Sequence, residues 1–230
     1  MFFSMAVISA TAGSGKSHIT AVIASILGLS ESHSQCIISA PSNIACDNIK
    51  ERISDIAQLL AGSPRIPMSV RGFALHQEPR KLMSLLRGHP VKVDDELDPS
   101  PWKFHHSLCW WTARALGFEL EGVERLDVDR ENEDLCKIYT KLQGLADASP
   151  TCPPDDDSSD CSDPEVKITI KKTFEEFTDL AQIACKTMTF TEYEERQKAQ
   201  GKKLALRNDI SRLMRDVVRC ANFVTVTPAM

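Results

Sequence analysis

A glycine-bearing turn stands near the start of the chain, where the sequence from Ser9 to Ser17 reads SATAGSGKS. The spacing Ala10-x-x-x-x-Gly15-Lys16-Ser17 matches the Walker A phosphate-binding pattern, with alanine at the position of the first glycine. In such a loop, successive backbone N–H groups converge on phosphate oxygens, and the following helix presents its positive N-terminus. Lys16 would reach the β- and γ-phosphates of ATP, and the Ser17 hydroxyl would bind Mg²⁺.

The residues on both sides of this turn fit the pattern. Phe2 to Ser9 is an almost continuous apolar run, which predicts a buried parallel strand, and apolar residues then recur at helical spacing from Lys16 to a predicted C-terminal cap at Gly28. This context favours a phosphate loop over a chance Gly-Lys-Ser in a strand-to-helix turn. Lys16 and Ser17 are the predicted catalytic residues, and Ser17 is the predicted metal ligand. The residues predicted to bind the nucleotide are Ala12, Gly13, Ser14, Gly15, Lys16, Ser17 and His18.

A second polar segment follows the apolar run Cys36 to Ala40, which predicts another buried strand. From Ala40 to Ile53 the sequence reads APSNIACDNIKERI, and a helix is predicted over Asn43 to Leu60. Ligands of open α/β sheets bind at the carboxyl ends of the strands. Ser42 and Asn43 could offer a hydroxyl, an amide and backbone N–H groups to a phosphate there, or they could simply cap the helix.

Together, the two segments resemble motifs I and Ia of superfamily 1 helicases, in the branch that contains senataxin and the nonsense-mediated-decay RNA helicase. The segment RDVVRCANFVTVTPA near the end of the chain resembles the part of that branch that lies shortly before its Asp-Glu motif. The resemblance covers about the first sixty and about the last fifteen residues. Between them, the chain matches the branch only in the position and helical character of an insertion.

The resemblance implies a RecA-like ATPase that couples ATP hydrolysis to movement along single-stranded RNA or DNA, from 5′ to 3′. Pro41, Ser42 and Asn43 would then contact the nucleic-acid backbone. Thr225 and Thr227 are weaker candidates for the same contact, because β-branched residues are ordinary strand residues. The resemblance also implies a second RecA-like domain in the remainder of the helicase.

The order of the predicted elements indicates an α/β fold with a parallel sheet and a long, mostly helical insertion. The resemblance implies that this sheet is part of a P-loop NTPase (RecA-like) domain. Residues 1–62 are predicted to begin the sheet domain, residues 63–205 to form the insertion and residues 206–230 to return to the sheet, where the chain is cut off. Within the insertion, residues 149–164 read SPTCPPDDDSSDCSDP and are predicted to be disordered. Helices are predicted over Pro79–Arg87, Trp102–Leu116, Asn132–Leu145, Phe174–Cys185 and about Glu192–Cys220, and further strands over Ser69–Ala74 and Phe223–Thr227.

An ATPase of this type needs a carboxylate pair at the end of a buried strand, to hold Mg²⁺ and position the attacking water. The one similar stretch, VKVDDELD, lies between prolines and contains Lys92, so Asp94, Asp95 and Glu96 are predicted to lie in a solvated loop. The chain as given is therefore expected to bind nucleotide without hydrolysing it. The alternative is a non-catalytic remnant that binds a protein partner through its insertion; a P-loop kinase or GTPase is disfavoured because APSNIACDN has no role in those.

The amino-acid composition limits how a nucleic-acid partner could be bound and in which compartment the protein is expected. Lys and Arg total 27 against 32 for Asp and Glu, a formal charge of -5, so a nucleic-acid partner must be bound by a local surface. The eight cysteines form no Cys-x-x-Cys pair, which favours a reducing, intracellular setting in the nucleus or cytoplasm. No segment approaches the ~20 apolar residues of a membrane span.

An aromatic segment, PWKFHHSLCWW, runs from Pro101 to Trp111. It could be a platform on which bases stack. A helical spacing of apolar residues instead favours packing in the core of the insertion. His105 and His106 have no metal partners at a recognisable spacing. The residues predicted to share the buried face are Trp102, Leu108, Trp111 and Ala115.

Overall fold

The computed structural model describes residues 11, 13–30, 35–62, 65–74, 76–89, 102–119, 124–147, 177–201 and 206–227. The described residues contain eight α-helices and three strands. The helices are α1 (Lys16–Leu29), α2 (Asn43–Leu60), α3 (Gln77–Leu86), α4 (Leu108–Ala115), α5 (Glu133–Asp147), α6 (Thr178–Ala184), α7 (Phe190–Ala199) and α8 (Leu206–Arg219). The strands are β1 (Cys36–Ser39), β2 (Ser69–Gly72) and β3 (Phe223–Val226).

Four predictions concern residues outside those described. They are the strand Phe2 to Ser9, the nucleotide contact of Ala12, the loop that contains Asp94, Asp95 and Glu96, and the disorder of residues 149–164.

The three strands form one parallel sheet in the order β1-β3-β2. Cys36 of β1 and Ser69 of β2 both lie opposite Phe223 of β3, so the strands are in step across the sheet. Parallel strands joined by helices make an α/β fold, as predicted. β2 belongs to the range 63–205 and nevertheless pairs with β3, so this range contributes a strand to the sheet as well as helices.

Helices α1 and α2 cover one face of the sheet. Phe223 of β3 packs against them, and Gly28 is the residue of α1 that lies over its ring. A Cβ atom added at Gly28 would lie 2.2 Å from Cε1 of Phe223, so only glycine lets the helix approach this closely. The buried apolar residues of this face are Ala21, Ala24, Ile38, Ile53, Ala57 and Phe223.

The other face of the sheet packs on a much larger helical cluster. Val70 of β2 and Val224 of β3 enter this core, and α4 contacts both β2 and α8. Alternate residues of β3 therefore serve opposite faces, as the period of a strand requires. The prediction that Trp102, Leu108, Trp111 and Ala115 lie in the core is confirmed, because all four are buried.

Several predicted boundaries were wrong. Gly28 does not cap α1, which continues to Leu29. α4 begins only at Leu108, because His106 has a φ of 58° and the side chain of Ser107 accepts a hydrogen bond from the Trp110 N–H. The final helical stretch is divided between α7 and α8, and Gly201, just beyond α7, has a φ of 63°. No helix in the described part of the chain combines the length and the apolar character needed to cross a membrane.

Candidate functional site

The N-termini of α1 and α2 lie at the same edge of the sheet. α2 begins shortly after β1 ends, so its N-terminus is at the carboxyl edge. α1 runs in the same direction, because its last turn lies at the start of β3, where the Asn222 side-chain amide donates to the Gly28 carbonyl at 3.3 Å. The Ser25 hydroxyl of α1 also lies 3.4 Å from the Ile53 carbonyl of α2, which places the two helices level. The predicted phosphate loop and the predicted motif Ia therefore lie at the same edge of the sheet, the carboxyl edge.

The backbone of Gly13 and Gly15 has the left-handed conformation, with φ angles of 78° and 82°. Residues other than glycine rarely adopt such φ angles. A Cβ atom added at either residue would meet no atom within 4 Å, so the backbone angle and not crowding explains the glycines. The two glycines leave the backbone of the loop open to a ligand immediately before α1.

Two side chains fold back on the start of the loop. The Ser14 hydroxyl donates to the Thr11 carbonyl at 2.8 Å, and the ammonium of Lys16 donates to the same carbonyl. Ser17 and His18 are exposed at the first turn of α1. Of the predicted nucleotide contacts, all those that are described thus belong to one continuous loop and helix start.

The first turns of α1 and α2 are satisfied differently. Helix N-termini leave backbone N–H groups without intrahelical acceptors, and a capping side chain usually supplies one. Ser42 does so for α2, because its hydroxyl oxygen accepts from the Ala45 N–H at 3.2 Å. Gly15 occupies the same position for α1 and has no side chain to offer. The positive end of α1 is therefore the one suited to an anion.

The side chains of Ser42 and Asn43, in the predicted motif Ia, are engaged within the protein. Ser42 caps α2, as one of the two interpretations of the sequence predicts. The Asn43 oxygen Oδ1 accepts from the Arg71 guanidinium at 2.6 Å and lies 3.5 Å from the Thr227 hydroxyl. Pro41 is exposed just before them. Pro41 and Ser42 are exposed at this edge, and Asn43 and Thr227 are partly buried.

Arg71 is the central residue of this edge, and the sequence prediction missed it. Its side chain is only 2% exposed, and Nε donates to the Asp47 carboxylate at 3.0 Å. Its Nη1 donates to the carbonyls of Gly72 and Thr225 at 2.7 and 3.2 Å. Burying an unpaired cation costs free energy, so these acceptors are what makes the buried position of the Arg71 guanidinium stable.

A signal for this cluster was present in the sequence. Asn43 and Asp47 are one helical turn apart and so share a face of α2. An arginine in the buried strand β2 needs acidic and carbonyl partners, and that pair of side chains supplies them.

Thr225 is fully buried, and its hydroxyl lies 3.5 Å from the Val70 carbonyl. It is therefore a strand residue, which is the interpretation that the sequence favours over a nucleic-acid contact.

A connecting loop that precedes α4 lies beside this cluster. The His106 carbonyl accepts from the Arg71 backbone N–H at 2.8 Å, and Lys103 Nζ is 3.8 Å from the Asp47 carboxylate. Burial, with the nearby positive charge of Lys50, lowers the pKa of His106 to about 3, so this imidazole is neutral at physiological pH.

No group of three metal-binding side chains occurs among the residues that the structure describes.

Glu78 is the buried acid nearest to this edge. It lies in the first turn of α3, and its Oε2 accepts from the Cys109 N–H of α4 at 2.8 Å. Burial raises its pKa to about 7, although the hydrogen bond from the Cys109 N–H and the charge of Arg71 act in the opposite direction. Through this hydrogen bond Glu78 links α3 to α4.

No protein-family model, curated protein or solved structure matches the chain.

Proposed function

We propose that this chain is the ATP-binding part of an ATP-dependent nucleic-acid helicase or translocase, with a P-loop NTPase (RecA-like) sheet. The observation that carries the proposal is the pair of left-handed glycines, Gly13 and Gly15, directly before an α1 that has no side-chain cap. Such a loop at the carboxyl edge of a parallel sheet has the features of a phosphate site. Lys16 and Ser17 follow at the spacing of the Walker A pattern.

The residues present fit a nucleotide with its magnesium ion. Backbone N–H groups of the loop would bind the phosphates, the Lys16 ammonium would offset their charge, and the Ser17 hydroxyl is a suitable oxygen ligand for Mg²⁺. Lys16 contacts the Thr11 carbonyl and would exchange that contact for phosphate oxygens. The metal would supply charge neutralisation to the same phosphates.

A single strand of RNA or DNA is proposed to cross the carboxyl edge beside motif Ia. Pro41, Asn43 and Thr227 border that edge, whereas the Ser42 hydroxyl oxygen already accepts an N–H of α2. The exposed Ser42 hydroxyl can still donate its proton to a phosphate oxygen while it accepts that N–H. The protein is proposed to act inside the cell, in the nucleus or cytoplasm, together with the remainder of the helicase.

The test is titration of the chain with a fluorescent ATP analogue in the presence of Mg²⁺. Lys16→Ala should abolish binding, because it removes the full positive charge that the loop directs at the phosphates. Lys198→Ala, an exposed lysine on α7, is the matched control and should bind as the wild type does. Equal affinity in the Lys16 variant would rule out the loop as the nucleotide site.

The second candidate is a non-catalytic P-loop module that binds a protein partner. The observation that favours it is the engagement of Ser42 and Asn43 within the fold, where one caps α2 and the other binds Arg71. Titration with labelled single-stranded oligonucleotides separates the two candidates. A translocase should bind them, with an affinity that Mg²⁺ and ATP alter, and a protein-binding module should not.

A further inference from the structure

A concave surface of about 430 Å³ lies between α3 and the start of α8. Three arginines and a histidine line it. Arg80 comes from α3, Arg87 is the C-cap of that helix, His89 follows shortly after, and Arg207 comes from the first turn of α8. We call these four residues the arginine pocket.

The arginine pocket is built on one face of a helix. Positions 80, 84 and 87 recur at helical spacing, so Arg80, Ser84 and Arg87 point to the same side of α3. The guanidinium of Arg87 lies 4.9 Å from the centre of the Phe190 ring, which restrains its position. Arg207 faces them from the neighbouring helix, which packs against α3.

The charges of the pocket are not neutralised from within the described structure. No carboxylate oxygen of the described residues lies within 4.0 Å of Arg80, Arg87 or Arg207, although the chain as a whole is acidic. Some arginines elsewhere have such partners, as in Arg71 with Asp47 and Arg196 with Asp179. Three clustered guanidinium groups without carboxylates repel one another, and a bound polyanion would relieve that repulsion.

The chemistry and position of the pocket indicate its ligand. Guanidinium groups match phosphate oxygens with paired hydrogen bonds. α3 begins shortly after β2 ends, so Arg80, in its first turn, lies toward the carboxyl edge of the sheet. A nucleic-acid strand that crosses this edge can continue onto α3.

We propose that the arginine pocket binds phosphate groups of the single-stranded nucleic acid, as an extension of the track beside motif Ia. This inference rests on the proposed function for the identity of the strand. It also explains how a protein with a formal charge of -5 holds a polyanion, because the positive charge is concentrated where the strand passes.

The experiment measures binding of the full chain to labelled oligo-uridine and oligo-deoxythymidine by fluorescence anisotropy over a series of salt concentrations. Arg80→Gln, Arg87→Gln and Arg207→Gln should each weaken binding about fivefold at 0.1 M salt and lower the slope of log affinity against log salt by about 0.7. Arg215→Gln is the control, because it removes an exposed charge from α8 outside the pocket. Its affinity and slope should be those of the wild type.

Two results would overturn the proposal: wild-type binding by the pocket variants, or an equal loss in Arg215→Gln. Thermal unfolding of each variant checks the fold, which exposed substitutions should leave intact. ATP titration of the same variants keeps the proposals apart: the pocket variants should bind ATP normally, and Lys16→Ala should retain the oligonucleotide salt slope even if the nucleotide proposal fails.

Discussion

The two faces of the sheet are built on different scales. On the α1–α2 face, the described core consists of small and medium side chains around Phe223, and α1 also exposes Ile19, Ile23, Ile26 and Leu27. On the other face, β2 and β3 pack on a large core that includes tryptophans and residues of six helices, α3 to α8. The proposed nucleotide site belongs to the thin face and the arginine pocket to the thick one. Local stability should therefore differ between the two proposed sites, because small cores open more readily.

The largest expected effect comes from the thick face. Trp111 is buried, its ring lies 4.5 Å from that of Trp110, and its Nε1 donates to the Ser69 carbonyl at 2.9 Å. Trp111→Ala should lower the free energy of unfolding by ~3–5 kcal/mol, because it leaves a large cavity beside β2. Urea denaturation measures the loss, and Trp111→Phe, which keeps an aromatic ring, should lose less. A loss under ~1 kcal/mol would contradict the importance assigned to this core.

An intermediate effect is expected on the thin face. Gly28→Ala places a methyl group against the Phe223 ring and should cost ~1–3 kcal/mol through overpacking. Gly144→Ala in α5 is the matched control, because no atom lies within 4 Å of its added methyl group. That control should gain up to ~1 kcal/mol from helix propensity. Urea denaturation should therefore show a loss of stability in Gly28→Ala and a gain in Gly144→Ala. A gain in both variants would show that α1 does not pack closely on β3.

The smallest effect concerns the pH dependence of the thick face. The pKa of Glu78 is raised to about 7 from an ordinary 4.5, so between these values the folded protein retains a proton that the unfolded chain has lost. The contribution of Glu78 to stability is thus full below pH ~4.5 and is lost as the pH rises towards 7. Glu78→Gln should flatten stability against pH in this interval, as measured by urea denaturation at pH 5 and pH 7.

His106 acts in the opposite direction and provides an internal check on that measurement. Its pKa falls to about 3 from an ordinary 6.5, so its contribution is lost as the pH falls below 6.5. Glu78→Gln and His106→Gln should change the dependence of the unfolding free energy on pH in opposite directions, so that the two contributions can be separated. If Glu78→Gln left the pH profile unchanged, the assignment of the raised pKa to this carboxyl would be wrong.

Much of the candidate site was predictable because its signals are local. Left-handed glycines, a helix-opening lysine and serine, and a capping serine depend on a few neighbouring residues, and the structure has Gly13, Gly15 and Ser42 in such conformations. Boundaries were less predictable. α4 starts late because His106 adopts a left-handed backbone before the Ser107 cap, and the loop there is bound to Arg71 of β2, which is distant in the sequence.

The sequence by itself determined the alternation of strands and helices, the phosphate-loop pattern and the buried aromatic face of the insertion, because each is written in periodicity or in short-range spacing. Only the tertiary structure decided that β2 joins the sheet beside β3, that Arg71 binds Asn43 and Asp47, and that Arg80, Arg87 and Arg207 meet in one pocket. The physical reason is that charges and strands find partners by distance in space, and these partners lie far apart along the chain.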